Sequence, residues 1–244
     1  DMEKMGLQLS AAEIYDVNNS SLKDAIVNLN GGSCTGEIIS PNGLMLTNHH
    51  CAYRSIQSHT SVENDYLANG FWAANYAAEL PNPGMFVQFL IRIEDVTDKI
   101  LGQVNSDMSA EKRQESIDQA IRTESVRAKG DTHYDVVIRP FFEGNEYYLF
   151  VLESFYDVRL VGAPPESIGK YGGDTDNWMW PRQTGDFALY RVYSGPDGTP
   201  APYAEENIPL KPKHYLPVSL EGVKEYDFAM ILGYPGSTDR YLTS

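Results

Sequence analysis

Glycine, proline and polar turn residues divide the chain into short apolar runs, and this punctuation restricts it to folds built from short strands. Strand-length runs lie at residues 85–93, 135–142, 147–155, 157–161, 186–193 and 227–234. They do not alternate regularly with helical segments, as the strands of parallel α/β folds do. We therefore predict a mainly β fold, a β-barrel with short helical insertions.

Helical signals are confined to a few places. Ser10 with Glu13, and Ser21 with Asp24, have the capping-box form, in which a hydroxyl and a carboxylate satisfy the free amides of a first helical turn. A longer run rich in Glu, Lys, Arg and Gln carries a narrow apolar stripe. We predict short helices within residues 1–30, a helical turn at 52–57, a helix over 109–129, and an aromatic loop at 71–72.

Charge and hydropathy exclude several classes of function. The 244 residues include 19 Lys and Arg against 34 Asp and Glu, a formal net charge of −15, which repels phosphate backbones and anionic lipid surfaces. No apolar run approaches the roughly 20 residues that span a bilayer. We predict a soluble protein that binds neither nucleic acid nor a membrane. The first residues lack a basic region followed by an apolar stretch, so we expect any signal peptide to have been removed or never present.

Residues 36–51 form a predicted β-hairpin that ends in a histidine pair. Asn42 and Gly43 tolerate the positive φ of a tight turn between two strand-like runs. His49 and His50 follow the second run. A rigid hairpin suits a general base, because its imidazole must reach both a nucleophile and an orienting carboxylate. The alternative is a pair of partly buried histidines at a strand end.

A metal site is less favoured. His49, His50 and Cys51 are adjacent, and neighbouring residues on a strand point to opposite faces, so they cannot easily share one ion. Asp174 and Asp176 resemble the start of a calcium loop, but the required downstream glycine and glutamate are missing. We predict no metal and no other cofactor.

The two cysteines of the chain, Cys34 and Cys51, bear on its compartment. Their spacing is compatible with one disulfide that closes a hairpin-sized loop, and equally with two buried thiols. A disulfide would place the protein in an oxidising compartment, the periplasm or the cell exterior.

Acyl-transfer chemistry also needs an acid behind the base and a nucleophile in front of it. Asp186 follows a glycine turn at the start of a predicted apolar strand. It is either the carboxylate that orients the base or an acid that merely begins the strand. Ser33 and Ser237 are the nearest candidates for a nucleophile. Neither lies in a Gly-x-Ser-Gly-type elbow, so we interpret both as turn residues.

Several blocks of the sequence resemble known peptidases. Residues 47–51 are similar to the histidine segment of trypsin-like serine peptidases, in which a strand ends in Thr, small residues, the catalytic His and a Cys. Nearly the whole chain resembles the amino-terminal portion of the bacterial dipeptidyl peptidase 7 and 11 family, exopeptidases of the chymotrypsin clan. The matching blocks are residues 20–27, 46–51, 69–73, 79–84, 172–182 and 231–236.

This resemblance implies a fold and a catalytic pair. The chain would form a chymotrypsin/trypsin-like β-barrel, the first of two, with His50 as general base and Asp186 as its orienting acid. Cys51 would pair with Cys34, and His49 would be a structural neighbour. The family's nucleophilic serine and oxyanion amides belong to the second barrel, which the resemblance places after the present sequence. We therefore expect the chain alone to be inactive.

The resemblance also implies a peptide substrate. The asparagine and tryptophan with which the family grips the free α-amine map onto Asn177 and Trp178, and an ammonium suits carbonyl acceptors and an indole face. Trp180, next to them, is expected to be a core aromatic. The partners implied are an oligopeptide with a free amino terminus and a second copy of the full-length protein in a homodimer.

These observations give one leading function and two alternatives. We predict the catalytic part of a secreted serine-type dipeptidyl aminopeptidase, with residues 1–30 as a helical extension, 31–235 as the barrel and 236–244 as the start of a linker into a helical domain. The alternatives are a peptide-binding module without activity and a trypsin-like endopeptidase. A Gly-x-Ser-Gly elbow downstream would favour an enzyme over the binding module.

Overall fold

The chain folds mainly into antiparallel β-structure, as shown by a computed structural model that describes residues 1–105, 107–176, 179–181 and 183–234. In these ranges the strands are β1 (Ile26–Leu29), β2 (Cys34–Ile38), β3 (Leu44–Thr47), β4 (Phe71–Trp72), β5 (Leu80–Pro81), β6 (Val87–Asp95), β7 (Asp135–Phe141), β8 (Glu146–Phe155), β9 (Asp157–Ala163), β10 (Ala188–Ser194) and β11 (Ile208–Pro209).

In the same ranges most helices are about one turn long, and those at residues 49–59 and 110–129 are longer. The helices are α1 (Ala11–Ile14), α2 (His49–His59), α3 (Tyr66–Asn69), α4 (Thr97–Leu101), α5 (Ala110–Lys129), α6 (Glu166–Gly169) and α7 (Gly173–Asp176), with 3-10 turns at Glu3–Met5, Leu22–Ala25, Tyr76–Ala78 and Phe142–Gly144. The predicted mainly β class with short helical insertions is confirmed.

The chain divides into two units. Unit 1 comprises Asp1–Gln88 and Phe155–Ser244, and unit 2 comprises Phe89–Ser154. Unit 2 contains β7, α4, α5 and most of β6 and β8. The predicted boundaries after residues 30 and 235 stay a prediction, and residues 236–244 lie outside the described part of the chain.

In unit 1, β10 connects the two sides of the sheet, because it pairs antiparallel with both β3 and β9. The strand order is β4-β9-β10-β3-β2-β1, with β5 also paired to β9 and β11 to β10. Ile38, Met45 and Leu160 are completely buried in this sheet. Burial of each such apolar side chain contributes roughly 1.5–3 kcal/mol to folding.

The predicted hairpin is confirmed. β2 and β3 pair antiparallel with Glu37 opposite Leu46. Gly43 in the connecting turn has a φ of +65°, and a Cβ at this position would lie 2.6 Å from the carbonyl oxygen of Val192. Both the turn conformation and the close approach of the neighbouring backbone therefore require glycine.

The prediction of short helices over residues 1–30 is correct at its start and wrong at its end. Ser10 caps α1 through a complete capping box. Ser21 and Asp24 also form a capping box, but it opens only the 3-10 turn Leu22–Ala25 before β1 begins. β1 pairs with β2 over four residues, and this pairing outweighs a weak local helix signal.

Unit 2 is a sheet with strand order β6-β8-β7 and a helix packed on it. The predicted helix over 109–129 is confirmed as α5, with Ser109 as its N-cap. Ile117 of α5 is buried in one cluster with Leu149 and Val151 of β8. Within the described ranges, no helix has the combination of length and apolar character that crossing a membrane requires.

Two strand assignments differ from the prediction. Residues 227–234, predicted to be a strand, have no strand in the structure, and Ile231 is fully exposed. The Tyr234 N–H donates to the side-chain oxygen Oγ1 of Thr35 at 2.8 Å rather than to a backbone carbonyl of a neighbouring strand. An apolar run becomes a strand only where a neighbouring strand offers it backbone partners. The predicted aromatic loop at 71–72 is β4, which finds such partners on β9.

Candidate active site

The segment that carries the two histidines changes from strand to helix. β3 ends at Thr47, and α2 begins at His49 with Asn48 as its N-cap. His49 and His50 therefore lie in the first turn of a helix, which corrects their predicted position at a strand end. The predicted helical turn at 52–57 is the middle of this longer helix.

A disulfide ties the first turn of α2 to the start of β2. Cys34 and Cys51 are joined, with their Cα atoms 6.2 Å apart and a sequence separation of 17. The pairing predicted from the resemblance is confirmed. Closing a loop of this length contributes about 3 kcal/mol in the chain-entropy account, and it fixes the start of the helix next to the hairpin.

His50 and Asp186 form a two-point contact. His50 Nδ1 lies 2.8 Å from Asp186 Oδ2, and the backbone N–H of His50 donates to Asp186 Oδ1 at 3.0 Å. The Asp186 side chain is 17% exposed, whereas that of His50 is 64% exposed. The structure thus brings the two predicted catalytic residues together, with the acid sheltered and the imidazole open to solvent.

The contact decides which imidazole nitrogen is free. An ionised carboxylate only accepts hydrogen bonds, so Nδ1 of His50 must carry the proton that it shares with Asp186. Nε2 of the neutral ring is then an acceptor. This is the tautomer that can take a proton from a hydroxyl nucleophile, and the nearby carboxylate stabilises the imidazolium that results.

Sheet register brings these residues together from distant parts of the sequence. β10 pairs with β3 so that Ala188 lies opposite Thr47. Asp186 precedes the first residue of β10 by two positions, and His50 follows the last residue of β3 by three. Antiparallel pairing therefore places the two side chains at the same end of the strand pair.

One polar residue that the sequence analysis did not single out holds Asp186 directly, and a second one holds the segment that precedes it. The Nδ2 group of Asn48 donates to the Asp186 carbonyl oxygen at 3.1 Å and lies 3.4 Å from Oδ2. The Thr184 hydroxyl donates to the Gly169 carbonyl at 2.9 Å. This bond holds the backbone just before Asp186 against the end of α6. Asparagine at a helix N-cap normally caps the helix, but the Asn48 side chain makes no cap bond, and only the fold reveals its other partner.

His49 points away from this pair and into the protein. It is 1% exposed, and its ring packs so closely on Gly169 that a Cβ there would overlap the imidazole. Its Nε2 has no hydrogen-bond partner among the described residues. Burial lowers the pKa of His49 below its usual 6.5, although Asp186, the Pro164 carbonyl and Glu166 act in the opposite direction.

The lowered pKa of His49 gives a testable pH dependence. As the pH decreases below 6.5, His49 takes up a proton in the unfolded chain at a higher pH than it does in the folded chain. The free energy of unfolding therefore falls as the pH decreases from 6.5 towards the lower pKa of the folded state. One such proton changes stability by at most about 1.4 kcal/mol per pH unit. We expect His49→Asn, in the full-length protein, to flatten the dependence of the urea midpoint on pH between 5 and 6.5. The slopes above pH 7 should coincide, and equal slopes below 6.5 would show that folding does not lower the pKa of His49.

The other predicted site residues have mixed outcomes. Asn177 and Trp178 lie outside the described residues, and so does Ser237. Ser33 lies in the turn after β1, where its hydroxyl donates to the Leu29 carbonyl at 3.0 Å. The expectation that Trp180 is a core residue is wrong, because Trp180 is 91% exposed.

Comparison with known protein families shows to which family the chain belongs. The sequence profile of a family described as Peptidase S46 matches residues 1–244. The chain belongs to the peptidase S46 family. The resemblance stated from the sequence blocks is confirmed, since the S46 relatives include proteins named dipeptidyl-peptidase 7.

Two S46 relatives match the chain from end to end. The dipeptidyl-peptidase 7 of Capnocytophaga gingivalis is 54% identical over 244 residues, which are 100% of this chain and 34% of the relative. The Asp/Glu-specific dipeptidyl-peptidase of Flavobacterium psychrophilum is 52% identical with the same coverage. The chain thus spans about a third of the length of these relatives.

A solved S46 structure has the same fold. The crystal structure of Porphyromonas endodontalis DPP11 in complex with the dipeptide Arg-Asp superposes with a TM-score of 0.83 at 45% sequence identity, covering 93% of this chain and 33% of that one. This likeness confirms the predicted chymotrypsin-like, mainly β fold class.

Proposed function

We propose that the chain supplies the general base and its orienting acid to a serine-type dipeptidyl aminopeptidase, an S46 enzyme that releases dipeptides from the amino termini of oligopeptides. One observation carries the proposal. The His50 imidazole is held by Asp186 at 2.8 Å through Nδ1 while 64% of the His50 side chain remains exposed. The same sheltered carboxylate also accepts the backbone N–H of His50 at 3.0 Å, so His50 is fixed at two points while most of its side chain stays open to solvent.

The nucleophile of the proposed reaction is a serine hydroxyl from polypeptide outside this sequence. Within the described ranges, no serine hydroxyl is hydrogen-bonded to His50, and the S46 relatives are about three times as long as this chain. His50 Nε2 takes the hydroxyl proton as the serine oxygen attacks the scissile carbonyl carbon. It then gives that proton to the leaving amine, and water releases the dipeptide by the same two steps.

The proposed substrate is an oligopeptide with a free amino terminus. The relatives are named dipeptidyl-peptidases. An enzyme that cleaves two residues from the amino terminus needs a group that recognises the terminal ammonium. We assign this role to Asn177 and Trp178 on the strength of the block at 172–182, because a carbonyl oxygen and an indole face both bind cations. A homodimer of the full-length protein remains part of the proposal.

We also propose a periplasmic or extracellular location. The Cys34–Cys51 disulfide supports this location, because disulfides persist in oxidising compartments and are rare in the cytosol.

The test compares free and blocked peptides with the full-length protein. We expect release of amino-terminal dipeptides from a free pentapeptide, and cleavage at least about 30-fold slower after N-acetylation, since an unpaired charge partner costs about 2 kcal/mol or more. Asn177→Ala and Trp178→Ala should slow only the free peptide, which removes the difference between the two substrates.

The remaining outcomes separate the alternatives. Equal cleavage of free and acetylated peptides at internal bonds would identify an endopeptidase and contradict the amine clamp. Binding of the free peptide without any cleavage would identify a peptide-binding module and contradict the enzyme.

A further inference from the structure

We propose that reduction of the Cys34–Cys51 disulfide converts the site into a zinc site that captures His50. Among the described residues, Cys34, Cys51 and His50 form a cluster in which the two Sγ atoms and one imidazole nitrogen all lie within 4.8 Å of one another. Two thiolates and one imidazole are a ligand set that binds Zn²⁺ in proteins, with water in the fourth position.

The distances suit a tetrahedral ion after a small rearrangement. Zinc bonds of about 2.3 Å to sulfur and about 2.0 Å to nitrogen place the ligand atoms of a tetrahedral site roughly 3.5 Å apart. One nitrogen of the His50 ring lies within 4.8 Å of both sulfurs, so the ring must also turn and move slightly closer to them. The sulfurs must separate from bonding distance, and rotation about the two Cα–Cβ bonds provides this movement while the Cα atoms stay near 6.2 Å.

Asp186 prepares the imidazole for this role as well as for catalysis. Zinc-bound histidines usually donate their other ring N–H to a carboxylate, which fixes the tautomer and makes the ligating nitrogen more basic. His50 Nδ1 makes this contact with Asp186 Oδ2 at 2.8 Å. The nitrogen left for the metal is Nε2, the same atom that the proposed reaction needs as its proton acceptor.

The surroundings allow both a reductant and a cation to enter. The two cysteines are half-buried and the His50 side chain is 64% exposed, so one side of the cluster faces solvent. His49 does not belong to the cluster, because its ring is buried against Gly169. A metal site made of His49, His50 and Cys51, which the sequence analysis disfavoured, is therefore not the site proposed here.

The chemistry balances with a thiol or phosphine reductant. With a thiol reductant, two reductant thiols give their two hydrogens and two electrons to the protein disulfide and become a disulfide themselves. With a phosphine, the phosphorus gives the two electrons and becomes a phosphine oxide, while one water molecule supplies its oxygen and the two thiol protons. Zn²⁺ then displaces the two thiol protons into solvent, and two thiolates neutralise the charge of the ion.

The consequence for activity rests on the proposed function. With Nε2 bound to zinc, His50 cannot accept a proton, so the reduced, zinc-loaded protein is an inactive form. Metal binding itself does not depend on catalysis, and a binding measurement therefore tests the site even if the peptidase assignment fails.

The experiment uses the full-length protein in oxidised and phosphine-reduced forms, freed of metal and reductant in oxygen-free buffer. Co²⁺ is the probe, because thiolate ligation gives a charge-transfer band, and Zn²⁺ is then added to displace it. We expect one equivalent of Co²⁺ bound with a thiolate band in the reduced form and none in the oxidised form. Cys34→Ser and His50→Gln should weaken binding about 100-fold or more, and Asp186→Asn about 10- to 100-fold, as loss of an orienting partner does.

A matched control and a folding readout complete the design. His59→Gln, at the other end of α2, should bind Co²⁺ like the reduced wild type. If reduction unfolds the region, Zn²⁺ must restore the near-ultraviolet circular dichroism of the oxidised protein, because metal binding and folding are coupled. Two free thiols without a cobalt band, a band insensitive to His50→Gln, or unfolding that zinc does not reverse would each overturn the proposal.

Discussion

Asp186→Asn should lower kcat of the full-length enzyme about 10⁴-fold and leave KM nearly unchanged, as loss of the carboxylate does in serine-protease triads. The reason lies in the two-point contact. Oδ1 of Asp186 accepts the His50 backbone N–H at 3.0 Å, and the single oxygen of an asparagine would keep this bond. Its NH₂ group would then face His50 Nδ1 and donate to it. The proton would move to Nε2, and the base could no longer accept one from the nucleophile.

Asn48 loses an acceptor in the same variant. Its own NH₂ group lies 3.4 Å from Asp186 Oδ2, and in the one orientation of Asp186→Asn that keeps the backbone bond an NH₂ group takes the place of this oxygen. Steady-state kinetics on a free-amine peptide measures the effect.

Asp197→Asn is the matched control, because Asp197 lies in the exposed turn beyond the other end of β10 and, among the described residues, its side chain bonds to nearby Thr199 alone. Its kcat should stay at the wild-type value. A loss of less than about tenfold for Asp186→Asn would contradict the orienting role.

The sequence could predict those parts of the fold that local chemistry decides. The β2–β3 hairpin follows from Asn42-Gly43 between two apolar runs, and α5 follows from its capping serine and apolar stripe. These signals act within a few residues of the chain. These local signals can therefore be recognised in the sequence without knowledge of the rest of the fold.

What the sequence could not predict depends on partners far away in the chain. The Asn48 side chain bonds to Asp186, 138 positions later, and its helix-capping preference gave no sign of this. The apolar run at 227–234 has the composition of a strand but finds no ladder in the structure. Pairing of His50 with Asp186 was predicted only through the resemblance, since chain order alone contains no distance.

The block at 79–84 illustrates the same limit. It contributed to the resemblance as a string of residues, and nothing in it indicated whether it serves chemistry or folding. The structure assigns Glu79 to the interior. Its side chain is 2% exposed and accepts bonds from Arg191 Nε at 2.8 Å and from the Tyr193 hydroxyl at 2.7 Å.

Glu79→Ala should therefore reduce the free energy of unfolding by about 3–5 kcal/mol, the usual cost of leaving one member of a buried ion pair alone. The Arg191 side chain is only 11% exposed, and its other polar and ring contacts within the described residues are the Asn42 carbonyl at 2.8 Å and the Tyr76 ring. Neither neutralises its charge. Burial, together with the Glu79 carboxylate, raises the pKa of Tyr193, so the Tyr193 hydroxyl keeps its proton and donates a hydrogen bond. In Glu79→Ala this hydroxyl also loses its acceptor. Urea unfolding of the full-length protein measures the change.

The double variant Glu79→Leu with Arg191→Met separates the loss of a charge partner from the loss of packing. Replacing both members of a buried pair by apolar residues of similar volume is often close to neutral, so the double variant should be more stable than Glu79→Ala. Glu205→Ala, at an exposed position, should change stability by less than about 0.5 kcal/mol. If Glu79→Ala matches that control, the carboxylate does not stabilise Arg191, and if the double variant is as unstable as Glu79→Ala, the cost lies in packing and not in the unpaired charge.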